Sequence, residues 1–501
     1  MASLKFVVLV LYAVMIVAVL LVTAKKSLSL NEFLLGGRNV GPWMSALSYG
    51  ASYFSAVIIV GYAGSMGWQF GVAAAWAGIG NAVIGSLLAW SLLARPVRRM
   101  GERLNVGTIP GFFEKRYQAK WMKLAAAAII FIFLLPYSAS VYKGLGTMFR
   151  MALGIDYTWC VIGIALLAAL YLFAGGYKAT AITDFIQGTI MIVGVVLIIG
   201  YIIRGAGGLT EGLAELGRMG GYNSMAITES NAVPLLSNVL LTSLGVLGLP
   251  QMLHKFFAIK DTRSVTRATV ISTLFALIIA GGIYFAGGFS RVILEKIPDA
   301  AYGTTAEAVR SGAMATDQIM PTLLTDQTVV RIPDALQGLF IVLLLSASIS
   351  TLTALVLASA SVISVDLLGT LFPRRTEKQA TVTMRVLCLV FVALSLMINF
   401  LMQNTPIMQL MSLSWGVVAG SFLAPFLYGL LWRGTTRLGA WAGLLAGFLT
   451  ALIPPLVLGT SVAAVSGVAA MLLGLVVVPV VSTLTRSTLP PEETLKMAFG
   501  K

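Results

Sequence analysis

Charge is scarce in this chain. Only 11% of its 501 residues are Asp, Glu, Lys or Arg, where a soluble protein carries about 25%. So few charges cannot cover a water-facing surface, which excludes a soluble enzyme or binding domain. Histidine occurs once, as His254, at the end of an apolar segment where an interfacial position is expected. A lone histidine leaves no Ser–His pair, and no apolar segment holds a His/Glu/Asp cluster with catalytic spacing, so nothing points to an enzyme. The two cysteines, Cys160 and Cys388, both fall inside apolar segments. They give neither a disulfide framework nor a metal cluster. No carbonyl-filter sequence argues for a channel, and no signalling domain is appended.

What the chain has is apolar length. It is 58% hydrophobic, and runs of about 18 residues or more recur from end to end, the pattern of a polytopic helical membrane protein. Thirteen spans are predicted, at roughly 4–24, 43–66, 70–94, 120–149, 157–175, 179–203, 236–257, 268–290, 335–366, 382–402, 405–432, 438–458 and 463–484. The net charge of +15 suggests nucleic acid only until the charges are placed. Most lysines and arginines gather on one side. They run from Lys25 and Lys26, through Arg95, Arg98, Arg99, Arg103, Lys115 and Arg116, to Lys255, Arg263, Arg374 and Lys496. The positive-inside rule makes that side cytoplasmic and the N-terminus external. The basic balance is thus a topology signal and needs no nucleic-acid partner; the bilayer is the partner. Lys25-Lys26 follows the first apolar run, so that run reads as a retained helix and not a cleaved leader. Within the longer external loops, Leu209–Leu216 has a short amphipathic pattern suited to the membrane surface. The internal loop 95–119, with Gly111–Tyr117, is expected on the inner headgroups.

Two spans carry breakers. The second contains Leu47-Ser48-Tyr49-Gly50-Ala51-Ser52-Tyr53-Phe54-Ser55, and the seventh contains Ser243-Leu244-Gly245-Val246-Leu247-Gly248-Leu249-Pro250. They lie five spans apart in order, an odd offset, so they run in opposite directions, as in two inverted repeats that each open with a broken helix. Unwound backbone at the midplane frees carbonyls and amides for an ion and a solute. For either break alone, a kink at close helix packing is the alternative. A third feature is the run Ser346-Ala347-Ser348-Ile349-Ser350-Thr351-Leu352-Thr353 inside a long apolar span. Hydroxyls kept there either pack helices tightly or offer oxygens to a cation. Ala347, Ser350 and Thr351 stand at i, i+3 and i+4, on one helical face. Hard cations take oxygen ligands of this kind.

Two further strings resemble a known family. Phe33-Leu34-Leu35-Gly36-Gly37-Arg38 precedes the first broken helix, and Gly175-Gly176-Tyr177-Lys178-Ala179-Thr180-Ala181-Ile182-Thr183-Asp184-Phe185-Ile186-Gln187-Gly188 opens the sixth span. Both resemble hallmarks of the sodium:solute symporter family, which includes sodium/proline, pantothenate, monocarboxylate, sialic acid and sugar symporters. The resemblance covers essentially the whole chain. It implies an all-α polytopic protein with the leucine-transporter fold: a 5+5 inverted repeat, about 13 transmembrane helices, N-terminus outside and C-terminus inside. Residues 1–42 then form an extra N-terminal helix and linker, and 43–203 the first five-helix repeat. An extracellular loop, 204–235, leads to the second repeat, 236–432; two extra helices and a tail occupy 433–501.

The resemblance implies sodium-coupled uptake of a small organic solute by alternating access. Na⁺ is the coupling ion and no organic cofactor is implied. Proton coupling in the same fold is the alternative. The implied sodium site comprises Ala51 and Phe54 at the first break with Ala347, Ser350 and Thr351. A second cation position in some members uses Asp184 and hydroxyls at Thr353 and its neighbour. Here the neighbour is Ala354, so one sodium ion is expected, with Asp184 a structural or gating carboxylate held by nearby hydroxyls. The implied solute site draws on Ser52, Tyr53, Ser55, Tyr137, Thr242, Ser243, Ser414 and Trp415. Gly248-Leu249-Pro250 resembles the pantothenate and monocarboxylate branches more than the Gly-Gln-Pro of proline transporters. An apolar pocket with few hydroxyls is therefore expected, for a small organic acid or an apolar amino acid such as proline. Lys143 lies in the outer half of its span, either snorkelling to the headgroups or placing a positive charge in an outer vestibule.

Overall fold

The computed structural model describes residues 4–23, 40–372, 374 and 376–500, excluding the side chains of 20–23, 171–179 and 377. The Phe33–Arg38 string and the side chains of Gly175–Ala179 lie outside the described residues. Among the described residues the fold is helical apart from one short antiparallel pair, Pro298–Asp299 with Gly303–Thr304.

The helices that build the site are α1 (Leu4–Thr23), α2 (Pro42–Tyr53), α3 (Lys120–Leu153) and α4 (Tyr157–Gly205). Next come α5 (Glu229–Leu244), α6 (Pro250–Ala258), α7 (Thr262–Ala276) and α8 (Asp334–Ser361). The last are α9 (Glu377–Leu401), α10 (Ile407–Leu431), α11 (Arg437–Leu458) and α12 (Ala463–Leu484). Among the described residues, ten helices are long and apolar enough to cross a membrane, and Leu4–Val19 and Tyr157–Leu170 are shorter apolar helices. The chain is a multi-pass membrane protein. Helices α8 and α10 are central: 89% of the apolar window of each is buried, against 28% for α11 at the periphery.

Both breaks exist. Helix α2 ends at Phe54, whose φ of −106° and ψ of 101° are extended. Ser55 restarts the helix: its carbonyl accepts from Ile58 N at 3.0 Å and its hydroxyl from Val57 N at 3.2 Å. That is how a capping serine behaves. The second break follows α5 as a tight turn, Gly245–Gly248, then extended Leu249. Pro250 disfavours helical geometry at the residue before it and suits the first position of α6. Gly248 also allows close approach: a Cβ there would lie 3.0 Å from Leu423 N and 3.1 Å from Ala419 Cα on α10.

After the first break the helix continues over 57–70, reverses at Gly71 (φ 59°) and returns over 75–103. The pairing is antiparallel: Tyr49 Oη donates to Gly85 O at 2.6 Å, and the Asn81 side-chain amide donates to Tyr53 Oη at 3.1 Å.

Three sequence expectations are corrected. The segment Gly111–Tyr117 does not rest on headgroups. It belongs to a helix, Ile109–Tyr117, with Phe112, Phe113, Arg116 and Tyr117 buried. Arg116 donates to Gly429 O at 3.0 Å and Trp432 O at 3.1 Å, satisfying carbonyls that the end of α10 leaves open. His254 is buried, not interfacial, because α6 turns its face inward. Lys255, counted above with the loop cations, is 3% exposed inside the same helix. The amphipathic segment forms a helix as expected, Leu209–Arg218, with Leu216 buried.

Candidate functional site

The broken end of α2 packs on the middle of α8. Thr351 Oγ1 lies 3.1 Å from Ser52 O, 3.4 Å from Ala51 O and 3.1 Å from Ala347 O. Ser350 Oγ lies 3.2 Å from Ser52 Oγ. Helix α2 stops at Phe54, so carbonyls there lose the amide partners that a continuing helix supplies. The structure thus brings Ala51, Ala347, Ser350 and Thr351 together, with Phe54 adjoining in the extended turn. Ser348 is a contributor that the sequence reading left without a role: its Oγ accepts from Ala56 N at 3.1 Å and anchors the restart of the broken helix. All five α8 residues from Ala347 to Thr351 are buried.

The residues read as a solute site form an aromatic box. Tyr53 stacks near Trp415 with ring centroids 6.1 Å apart, and Tyr137 meets Trp415 edge-on at 5.6 Å. Tyr53 Oη donates to Thr242 O at 2.5 Å, linking the two breaks directly. The hydroxyls point elsewhere. Thr242 donates to Asn238 O at 2.8 Å and Ser243 to Val239 O at 2.6 Å, both within α5. Ser414 donates to Phe133 O. Ser55 caps the restart, and Ser52 faces Ser350. The walls are therefore aromatic, with backbone and phenol as the polar groups.

Asp184 on α4 is not held by hydroxyls alone. Ser48 donates to its Oδ2, and Lys255 Nζ lies 3.2 Å from the same oxygen while donating to Ser48 at 2.6 Å. This buried triad joins α2, α4 and α6. A second link ties the same ends of the half-helices: Lys260 N donates to Val40 O at 3.0 Å. Thr353, paired with Asp184 above, instead donates to Ser350 O at 2.9 Å. The sequence signal for Lys255 is a lysine followed by two phenylalanines in Met252–Phe257, where only His254 beside it is polar.

Lys143 is paired and does not snorkel. Its Nζ lies 3.4 Å from Asp317 Oδ2 and donates to Gln403 O at 2.9 Å and Thr405 O at 2.6 Å. Burial pushes the Asp317 carboxyl above its ordinary range, and the Lys143 charge opposes that shift. Both residues line a cleft of about 620 Å³ with Arg150 and Asp156.

A family model described as "Sodium:solute symporter family" matches residues 33–447. The chain belongs to the sodium:solute symporter family. It is a sodium-coupled solute symporter. Among relatives of this symporter, the osmoregulated proline transporter OpuE of Bacillus subtilis is 28% identical over 86% of this chain and 84% of its own. The high-affinity proline transporter PutP of the same organism is 28% identical over 86% and 87%. A sodium/proline symporter of Salmonella typhimurium is 26% identical over 84% and 82%. The fold is similar to that of a Na⁺-coupled sialic acid symporter solved substrate-bound and outward-open, with TM-score 0.79, 17% identity and 96% and 97% of the two chains covered. A nucleobase-cation-symport-1 transporter in a closed conformation gives TM-score 0.57 at 15% identity, over 95% and 99%.

Proposed function

We propose that this symporter carries proline with one sodium ion, and that Na⁺ binds where the first break meets α8. The observation that carries this reading is the Thr351 hydroxyl, which lies within 3.4 Å of carbonyls on both elements. On this reading the ion takes the carbonyls of Ala51, Phe54 and Ala347 and the hydroxyls of Ser350 and Thr351. No carboxylate joins this set, which suits an ion that must leave in every cycle. Binding would draw α2 onto α8, so the ion stabilises the geometry that the solute needs. The Lys255 ammonium stands against Asp184, supplying there the positive charge that a second sodium would bring; this supports a single ion. One ion suffices: about 100 mV contributes ~2.3 kcal/mol and a tenfold gradient ~1.4 kcal/mol, together enough to concentrate a neutral solute on the order of 500-fold.

Proline follows from the relatives' names and from the box of Tyr53, Tyr137 and Trp415, which suits a compact apolar ring. The Gly248-Leu249-Pro250 string still favours an organic acid. We read the fold as a leucine-transporter 5+5 repeat with thirteen spans, N-terminus outside. The test is thermal unfolding of the purified protein with proline, lactate or pantothenate, each with and without Na⁺. Proline is expected to raise Tm only when Na⁺ is present, because ligands stabilise by mass action. A sodium-dependent shift with lactate or pantothenate alone would reassign the solute.

Gly85 makes room for the Tyr53 hydroxyl, which a Cβ would overlap. Gly85→Ala is expected to push that hydroxyl off the Thr242 carbonyl and raise the KM for uptake about tenfold. A KM within about twofold of the parent protein's would show that Tyr53 does not shape the solute site.

A further inference from the structure

The helix Arg95–Arg103 continues an apolar span out to the basic side of the protein. Arg95, Arg99 and Arg103 stand at i, i+4 and i+8, so they form one stripe. The opposite face is buried through Val97 and Gly101. All three arginines line a cleft of about 360 Å³. The other wall is apolar, from Leu92, Met100, Leu430 and Phe499. No carboxylate lines the cleft. On the helix Glu492–Phe499, Glu492 is engaged with Arg433 at 2.8 Å, and Glu102 is engaged with Arg98 at 2.8 Å. Arg95 donates to Thr266 Oγ1 at 2.8 Å and Arg103 to Ala498 O at 3.3 Å. Among the described residues Arg99 has no hydrogen-bond or ion-pair partner.

We propose that this cleft binds an anionic phospholipid, with the headgroup phosphate on Arg95, Arg99 and Arg103 and the first part of an acyl chain along Leu92 and Phe499. Three observations combine here: uncompensated guanidiniums, an apolar wall beside them, and a position where an apolar span gives way to charge. Basic pockets at that depth recognise lipid headgroups, and guanidiniums match phosphate geometry. Free phosphate would use the cations but not the wall. The lipid would also brace the Glu492–Phe499 helix, whose Phe499 and Ala498 complete the cleft.

Binding is measured by native mass spectrometry of the protein in a neutral detergent, titrated with phosphatidylglycerol, phosphatidylcholine or inorganic phosphate. Each arginine near an anionic group contributes about fivefold. The triple variant R95Q/R99Q/R103Q is expected to bind phosphatidylglycerol on the order of 100-fold more weakly, and Arg99→Gln alone about fivefold more weakly. Arg263→Gln, which removes a charge on the same side but outside the cleft, is expected to leave it unchanged. Should the triple variant fail to fold, Arg99→Gln decides, since it breaks no protein contact. Unchanged phosphatidylglycerol binding in Arg99→Gln, equal loss in Arg263→Gln, or equal binding of phosphatidylcholine would overturn the proposal. Equal protection by inorganic phosphate would also overturn it, marking a free-anion site.

Discussion

Lys255→Met is expected to destabilise the protein by about 3–5 kcal/mol, because it leaves the Asp184 carboxylate buried without its cation. Asp184 and Lys255 are each under 5% exposed and sit 3.2 Å apart, so neither charge has water to fall back on. Asp184→Asn should cost a similar amount by stranding the ammonium. The double variant, D184N/K255M, removes both charges and is expected to recover most of the loss, as buried pairs exchanged for neutral groups commonly do. Unfolding midpoints of the four proteins in one detergent complete the cycle. If the two single losses simply add in the double variant, the residues do not act as a pair. The triad joins the two half-helices, α2 and α6, to α4. Weakening it is therefore also expected to alter the balance between open and closed forms on that side.

Thr351→Ala carries the second large effect. The methyl variant loses the oxygen that faces Ala51 O, Ser52 O and Ala347 O. A hydrogen-bonding group engaged with a charge is worth about 1.5–3 kcal/mol. The Na⁺ concentration for half-maximal uptake should therefore rise by about 10- to 100-fold. Thr351→Ser keeps the oxygen and should stay within about threefold of the parent protein. Sodium titrations of uptake separate the two. An equal rise in both variants would mean that Thr351 acts through packing, since serine keeps the oxygen and loses only the methyl.

The features legible in the sequence were those with a local cause. Pro250 disfavours helix at Leu249, and the Ser55 cap follows from a hydroxyl beside a glycine-bearing, serine-rich turn, so both breaks could be read from residue type. The 347–351 face was legible because i, i+3 and i+4 spacing is a property of one helix. What escaped depends on contacts between distant elements. Lys255 looked like a loop cation because hydropathy averages over a window, and one lysine between Met252 and Phe257 barely lowers it. Only the approach of α4 and α2 makes it a buried partner. Arg116 was mistaken for a headgroup contact for the same reason: its partners, Gly429 and Trp432, lie over 300 residues away. The hydroxyls of Thr242, Ser243 and Ser414 were assigned to the solute by type. Thr242 and Ser243 bond to carbonyls of their own helix, a competition that a helix offers to Ser and Thr, whereas Ser414 bonds to Phe133 O on the distant α3. The aromatic box remained, because large rings have no such local alternative.

On the proposed reading, an inward sodium gradient drives solute accumulation through the α2–α8 site. The most direct test is uptake of labelled proline into proteoliposomes under one imposed gradient at a time. With Na⁺ outside and no proton gradient, accumulation above equilibrium is expected, and Thr351→Ala should abolish it at low Na⁺. Accumulation driven by a proton gradient in sodium-free buffer, unaffected by Thr351→Ala, would contradict the account.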